Sequence, residues 1–142
     1  MISPVEIISH DGLQLAFLIR ADWMPESTTF ITPDHFGQQV GMIVYGSGKS
    51  ITPHVHLPIV RQVSGTTECI FVRKGSCRID FYDRQKNYLE ARELNRGDVV
   101  LLIDGGHGFQ MKEDTILLEV KQGPYSPEKD KEQFVPKNAM AS

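Results

Sequence analysis

The sequence is built mainly from short runs of β-forming residues, and this pattern constrains the fold more than any other feature. The six runs are QLAFLI, QVGMIVY, ECIFVR, CRIDFY, DVVLLI and ILLEVK, and turn residues such as Gly, Pro, Asn and Asp separate them. No long run has the 3.6-residue apolar period of a helix, and only DHFGQQV and PEKDKEQF are compatible with brief helical turns. We therefore predict an all-β fold, either a sandwich or a barrel.

The length of 142 residues is typical of one domain. We expect residues 1–142 to form that domain, with a polar, proline-bearing tail over about residues 124–142. Hydrophobic residues make up 40% of the chain, but no apolar run approaches the ~20 residues that span a membrane. No basic residue precedes the first apolar segment, so a secretory signal is not indicated. We expect a cytoplasmic protein that does not enter a membrane.

The charges are nearly balanced. Lys and Arg number 15 against 18 Asp and Glu, which gives a net charge of −3, and the basic residues are scattered along the chain. A nucleic-acid partner requires a basic surface that neutralises phosphates, so we do not expect one.

The segment ECIFVRKGSCRIDFY predicts a hairpin with a two-residue turn at Lys74 and Gly75. Alternation then gives one mostly apolar face, the predicted interior, which consists of Glu68, Ile70, Val72, Cys77, Ile79 and Phe81. In this register Cys69 lies opposite Asp80, on the face away from Cys77, so we expect two reduced thiols rather than a disulfide.

Glu68 is the charged member of this predicted interior face. A buried carboxylate is costly unless it is paired, hydrogen-bonded or bound to a cation. Two interpretations are equally weighted at this point: Glu68 reaches solvent or pairs with a nearby arginine such as Arg61, or it binds something inside the fold.

The segment GKSITPHVHLP contains two histidines with one residue between them. In a β-strand His54 and His56 point to the same side, so two imidazoles aimed at one point could bind a metal. A chance H-x-H pair is the alternative. A third histidine, His107, follows a glycine-rich bend in GDVVLLIDGGHGFQM, where small neighbours permit close backbone approach.

These residues resemble the two sequence motifs of the cupin superfamily. The first motif is matched by Gly48, His54, His56, Glu68 and Gly75, with eleven residues, LPIVRQVSGTT at 57–67, between the second histidine and the glutamate. The second motif runs from Gly97 to His107, with Ile103 where the family has proline and a bend that is one residue shorter. Together the motifs cover residues 48–111, the central part of the chain.

The resemblance implies a cupin jelly-roll β-barrel in which His54, His56, Glu68 and His107 bind one divalent transition metal. Three imidazoles and a carboxylate suit Fe, Mn, Ni, Cu or Zn, and they leave coordination positions for water or substrate. The chain is most similar to small single-domain cupins of the dTDP-sugar-epimerase type, which accompany carbohydrate pathways. The alternative to a metal site is a metal-free histidine pair.

Three functions are compatible with this resemblance, since the fold alone does not fix one. The first is a metal-dependent isomerase or dioxygenase that acts on a small, carbohydrate-derived molecule. The second is a metal-free sugar-nucleotide ketoisomerase or epimerase, with His54 or His56 as base and Tyr45 or Tyr82 as acid. The third is a non-catalytic binding module.

Candidate substrate-binding residues are Arg61, Gln62 and Tyr45. Arg61 and Gln62 lie in the inserted stretch and could meet an anionic substrate at the barrel mouth, although loop arginines are more often simply exposed.

The segment TILLEVKQGPY predicts a strand with two different faces. Alternation puts Ile116, Leu118 and Val120 on one side and Glu119 and Lys121 on the other. The apolar set is expected in the core, with Glu119 and Lys121 in solvent.

We also expect a homodimer, because a small jelly roll leaves strand edges open. Phe71 and Tyr82, which the predicted hairpin assigns to the outer face, are apolar surface that such a contact would cover.

Overall fold

A computed structural model describes residues 4–137. Within this range the secondary structure consists of ten strands and no helix, so the all-β prediction is confirmed. None of these residues belongs to a helix that could cross a membrane. The strands are β1 (Val5–His10), β2 (Leu13–Ile19), β3 (Thr29–Phe30), β4 (Gly41–Met42), β5 (Glu68–Lys74), β6 (Ser76–Tyr82), β7 (Tyr88–Asn95), β8 (Val99–Leu102), β9 (Gly106–Met111) and β10 (Ile116–Lys121).

The chain divides into two compact units. The sheet unit consists of the described residues up to Trp23 together with those from Thr66 onward, and the loop unit is Met24–Gly65. Each is described by itself below. The prediction of a single domain over residues 1–142 stays a prediction.

The sheet unit contains two open antiparallel sheets that share a core. One has five strands in the order β1-β2-β8-β5-β10, and the other has three in the order β7-β6-β9. Both sheets contribute buried apolar side chains to one cluster, as in a β-sandwich: Leu18, Ile70, Val72, Val100 and Leu102 come from the first sheet, and Cys77, Ile79, Phe81 and Leu94 from the second. The described strands therefore form facing sheets rather than a closed barrel.

The predicted hairpin between β5 and β6 is wrong. β5 pairs with β8 and β10, whereas β6 pairs with β7 and β9, so the chain crosses from one sheet to the other at Gly75. Gly75 has a φ of 82°, and a Cβ atom there would overlap the carbonyl oxygen of Asp114. The predicted interior face is nevertheless buried from Ile70 through Phe81, because alternation acts within each strand whatever its partner.

Both cysteines are free and buried, which confirms the expected reduced thiols. Burial raises the pKa of Cys69 and of Cys77, and the carboxylates of Glu93 and Asp98 add to the effect at Cys77. The reason given for two free thiols does not hold, because Cys69 pairs with Leu101 and Val120 rather than facing Asp80.

The assignment of two aromatic residues to an outer face is only partly right. Tyr82 is 8% exposed and belongs to the buried set, contrary to the prediction, and Phe71 is half-buried. A register shift between Phe81 and Tyr82 interrupts the alternation there, and the Phe134 ring packs on Tyr82 with 5.1 Å between ring centroids.

The face assignment for β10 is wrong for its apolar residues, whereas Glu119 is exposed as predicted. Ile116, Leu118 and Val120 are 56%, 44% and 50% exposed, whereas Leu117 packs against the core. Glu119 lies on the same side of the strand as Leu117 and is placed beside Glu68. A register shift between Ile116 and Leu117, together with the position of β10 at the sheet edge, leaves the more apolar side outward.

The loop unit is largely irregular. β3 and β4 form a two-residue pairing, and Gln39 connects the turn between them by accepting from Thr32 Oγ1 at 2.7 Å and donating to the Pro33 carbonyl at 2.9 Å. From residue 43 to 65 no strand forms. This stretch exposes several large apolar side chains, namely Ile43, Tyr45, Ile51, Val55, Leu57, Ile59, Val60 and Val63.

Candidate functional site

The sheet unit contains a cavity of about 980 Å³. Its walls come from the start of β5 at Glu68, the end of β6 at Tyr82, the first residues of β9 including His107, and the C-terminal residues 130–134. Concave sites of this size are typical of small-molecule binding. The cavity therefore brings two residues of the predicted metal site, Glu68 and His107, into one small-molecule-sized space.

Glu68 and His107 meet across the two sheets. His107 Nε2 lies 3.3 Å from Glu68 Oε2, and the side chains are 30% and 20% exposed. The hydrogen bond from His107 lowers the pKa of Glu68, and burial opposes this effect. Glu68 therefore has a partner within its own unit, which settles how this carboxylate is accommodated at the edge of the core.

Glu119 adds a second carboxylate beside the first. In the β5–β10 register Lys121 lies opposite Glu68, and Glu119 is opposite the next inward-facing position, Ile70. Burial and the negative charge of Glu68 raise the pKa of Glu119, while Lys121 opposes the shift. The two neighbouring carboxyl groups therefore have pKa values displaced in opposite directions, an arrangement typical of acid and base pairs.

Gln122 fixes the backbone near these carboxylates. Its Oε1 accepts from the Thr67 backbone N–H at 2.8 Å, and its Nε2 donates to Thr67 Oγ1 at 2.7 Å. These bonds join the residue before β5 to the residue after β10. The side chains of Glu68 and Glu119 thus project from strand ends that are tied together.

An ion pair of two hydrogen bonds lines another part of the cavity. Arg84 donates from Nε and Nη2 to the two oxygens of Asp104 at 2.9 and 2.6 Å. Arg84 lowers the pKa of Asp104, and the Gly105 backbone N–H also donates to this carboxylate. This fork geometry is rigid, so it can orient a polar ligand, although sequence reasoning gave it no role.

His54 and His56 lie in the loop unit, where both are exposed. Their ring centroids are 5.2 Å apart, and His54 Nδ1 lies 2.9 Å from the carbonyl oxygen of Thr52. Because a carbonyl only accepts, Nδ1 is the donor in this hydrogen bond. A backbone carbonyl bound to the other ring nitrogen is the usual support of a metal-binding histidine.

Two of the predicted ligand atoms lie at a separation that binding to one metal ion would allow. Two atoms that bind one metal ion at about 2.0–2.2 Å and at right angles to each other lie about 3 Å apart. Glu68 Oε2 and His107 Nε2 are 3.3 Å apart, which is close to that separation. Within either unit, as far as residues 4–137 are concerned, no three His, Cys, Asp or Glu side chains form a metal-binding group. The sheet unit thus brings Glu68 Oε2 and His107 Nε2 close together, and the metal-binding role of His54, His56, Glu68 and His107 stays a prediction.

The expected substrate-binding residues also lie in the loop unit. Tyr45, Arg61 and Gln62 are exposed there, and their role stays a prediction. Sequence reasoning missed Glu119 and the C-terminal residues that line the cavity. A signal for Glu119 was present, because it is a carboxylate in a strand whose other residues, apart from Lys121, are apolar.

Comparison of the chain with protein-family models, with curated proteins and with solved structures finds no match. The likeness to cupins therefore rests on the motif residues quoted above. The structure supports the coarser description of an all-β protein with antiparallel sheets.

Proposed function

We propose that the protein is a metal-binding cupin of jelly-roll type, and an enzyme that acts on a small, carbohydrate-derived molecule. One divalent ion among Fe, Mn, Ni, Cu and Zn would be held by His54, His56, Glu68 and His107. The observation that carries the proposal is the approach of His107 Nε2 to Glu68 Oε2, at 3.3 Å, on the wall of a cavity of about 980 Å³.

The charge of the sheet unit supports a cationic occupant. Glu68 and Glu119 are neighbouring carboxylates, and like charges at short range are stabilised by a cation between or beside them. A bound ion would supply Lewis acidity toward a substrate oxygen. The chain's own residues would position the substrate, with Arg84 and Asp104 on the cavity wall.

A metal-free ketoisomerase or epimerase is the second candidate. The observation in its favour is that Tyr82, one of the two proposed acids, lines the same cavity as His107. In that mechanism His54 or His56 removes a proton next to a carbonyl, and Tyr45 or Tyr82 returns one. A non-catalytic binding module is the third candidate, and it would use the cavity without proton transfer.

Elemental analysis of the full-length protein, purified without a metal column, tests the proposal. We expect close to one transition-metal ion per chain, and a sharp loss in His54→Ala, His56→Ala, His107→Ala and Glu68→Gln, because the remaining ligands cannot complete the coordination shell. His35→Ala, at an exposed histidine of the loop unit, is the matched control and should keep the metal. Metal-free wild type that takes up no added Fe, Mn, Ni, Cu or Zn would contradict the proposal.

Turnover with and without a chelator separates the two enzyme candidates. A panel of keto-sugars, sugar nucleotides and diketones provides the substrates. We expect chelation to abolish turnover and added metal to restore it. Turnover that resists chelation would favour the metal-free isomerase, whereas bound metal with no turnover would favour the binding module.

We also propose a homodimer. β10 is an edge strand of the five-stranded sheet, and its outward side chains Ile116, Leu118 and Val120 are exposed apolar surface. A second subunit that covers this edge would satisfy the open backbone groups and remove apolar area from water. Light scattering at tens of micromolar should give twice the chain mass of 16.0 kDa, and a monomeric mass would contradict the proposal.

A further inference from the structure

The C-terminal residues 130–136 lie along the cavity of the sheet unit. Asp130, Lys131, Glu132, Gln133, Phe134 and Pro136 all line it. No strand forms in this segment, and a backbone hydrogen bond to the sheet follows it, from Lys137 N–H to the Lys86 carbonyl at 3.4 Å. The segment therefore forms one wall of the cavity, chiefly through side chains.

Phe134 is the apolar contact of this segment. Its ring meets Tyr82 edge to face, with 5.1 Å between centroids, and lies against Gly106. A Cβ atom at Gly106 would come within 2.9 Å of the Phe134 ring, so the missing side chain forms a notch that the ring fills. Because Gly106 directly precedes His107, the notch lies next to one of the proposed metal ligands.

Lys86 is the polar contact. Its Nζ lies 2.7 Å from Glu132 Oε1 and 5.9 Å from the centre of the Phe134 ring. The hydrogen bond and the positive charge of Lys86 lower the pKa of Glu132. One lysine thus binds the segment through both an ion pair and a cation–π contact.

The turn that presents Lys86 is rigid. Asp83 accepts hydrogen bonds from the backbone N–H groups of Gln85 and Asn87, both at 2.9 Å, and from the Asn87 side chain at 3.0 Å. Lys86 itself has a φ of 72°, which side-chain-bearing residues rarely adopt. The turn that carries Lys86 is thus held by several hydrogen bonds, whereas residues 130–136 are held by few contacts. Segments with few contacts are typical of elements that open locally.

We propose that residues 130–136 form a reversible lid, which closes the cavity when Phe134 fills the Gly106 notch and opens to admit ligand. The identity of the ligand rests on the proposed function, whereas the opening and closing of residues 130–136 do not depend on it.

Limited trypsin digestion measures how often the lid opens. Trypsin cuts after Lys131, and a synthetic peptide of residues 126–137 gives the rate for an open segment. We expect the intact protein to be cut far more slowly than the peptide. Phe134→Ala should speed cleavage by about five- to tenfold, and Glu132→Gln or Lys86→Gln by about twofold, because ring burial outweighs an exposed ion pair.

Lys112→Gln is the matched control, since Lys112 also forms a short exposed ion pair, at 2.6 Å to Glu93, away from the cavity lining. It should be cut at the wild-type rate. Two results would contradict the lid proposal. One is intact protein that is cut as fast as the peptide, and the other is a Phe134→Ala variant that is cut at the wild-type rate.

Diethyl pyrocarbonate, which modifies accessible imidazoles, measures access to the cavity without requiring metal binding. With chelator-treated full-length protein, we expect Phe134→Ala to speed modification of His107 about fivefold, while the exposed His35 reacts at an unchanged rate as internal reference. Equal His107 rates in wild type and variant would show that the segment does not control entry. Because neither readout requires metal, failure of the lid and failure of the metal site are distinguishable.

Discussion

Two clusters of charged side chains in the sheet unit use carboxylates in opposite ways. In the Asp98 cluster, the buried carboxylate of Asp98 accepts from the backbone N–H groups of Ala21 and Asn95, both at 2.8 Å, and from Arg20 Nη1 at 3.2 Å. In the Glu68 cluster, the carboxylate has one histidine at 3.3 Å and a second carboxylate beside it. The first is fully compensated, and the second is not.

The difference shows what each cluster contributes. Asp98 ties the ends of β2 and β7 to the β7–β8 turn, so its hydrogen bonds stabilise the fold. Glu68 lies on a cavity wall with one histidine partner, so its carboxylate keeps acceptor capacity that a ligand could use. We therefore expect stability to depend on the Asp98 cluster and ligand binding to depend on Glu68.

The largest expected effect is the loss of stability on removal of the Asp98 carboxylate. Asp98→Ala leaves two backbone donors and Arg20 without their acceptor, which we expect to lower the free energy of unfolding by about 3 kcal/mol. Urea denaturation measures it. Asp22→Ala, at an exposed carboxylate, is the control and should stay within about 0.5 kcal/mol of wild type. An Asp98→Ala variant as stable as this control would remove the contrast between the clusters.

Glu68→Gln should have the opposite effect to Asp98→Ala, with little change in stability and a clear loss of metal affinity. The variant loses the carboxylate's hydrogen bond with His107 but also the repulsion from Glu119, so we expect the unfolding free energy of metal-free protein to change by less than about 1 kcal/mol. Metal affinity should fall at least about tenfold, because a neutral amide replaces an anionic ligand. Denaturation with chelator and titration with metal measure the two quantities. If Glu68→Gln lost much stability and kept its metal affinity, Glu68 would have a structural role like that of Asp98.

The smallest expected effect concerns pH. The pKa of Glu68 lies below its ordinary value of 4.5, so its contribution to stability is present above that pH and is lost as pH falls through the folded-state pKa. The pKa of Glu119 lies above 4.5, so its contribution is present below that pH and is lost as pH rises through the folded-state value.

Glu119→Gln should remove the second contribution and the part of the first that comes from the hydrogen bond between Glu119 and Glu68. Relative to wild type, we expect the variant to gain unfolding free energy as pH rises above 4.5, by less than about 0.5 kcal/mol since the group is exposed and screened. Urea denaturation of metal-free protein between about pH 3 and pH 7 measures the difference. A difference that is constant over this range would show that the two carboxyl groups do not interact.

Some features of the fold and site were determined by the sequence alone. The alternation in β5 and β6 predicted that Ile70, Val72, Ile79 and Phe81 face the core, and the structure buries all four. This prediction succeeds because side-chain alternation is a local property of an extended chain and does not depend on the strand's partner. The all-β class follows from the same local pattern, repeated along the chain.

Only the tertiary structure decided which strands pair and which side of β10 faces inward. Strand pairing depends on contacts between residues far apart in sequence, so the short connection at Gly75 suggested a hairpin where the chain in fact changes sheets. The neighbours of Glu68 follow from that pairing: His107 is 39 residues further along the chain, and Glu119 lies on an adjacent strand. The motif identified Glu68 as chemically unusual, but its environment depends on how the sheets pack, which no local pattern contains.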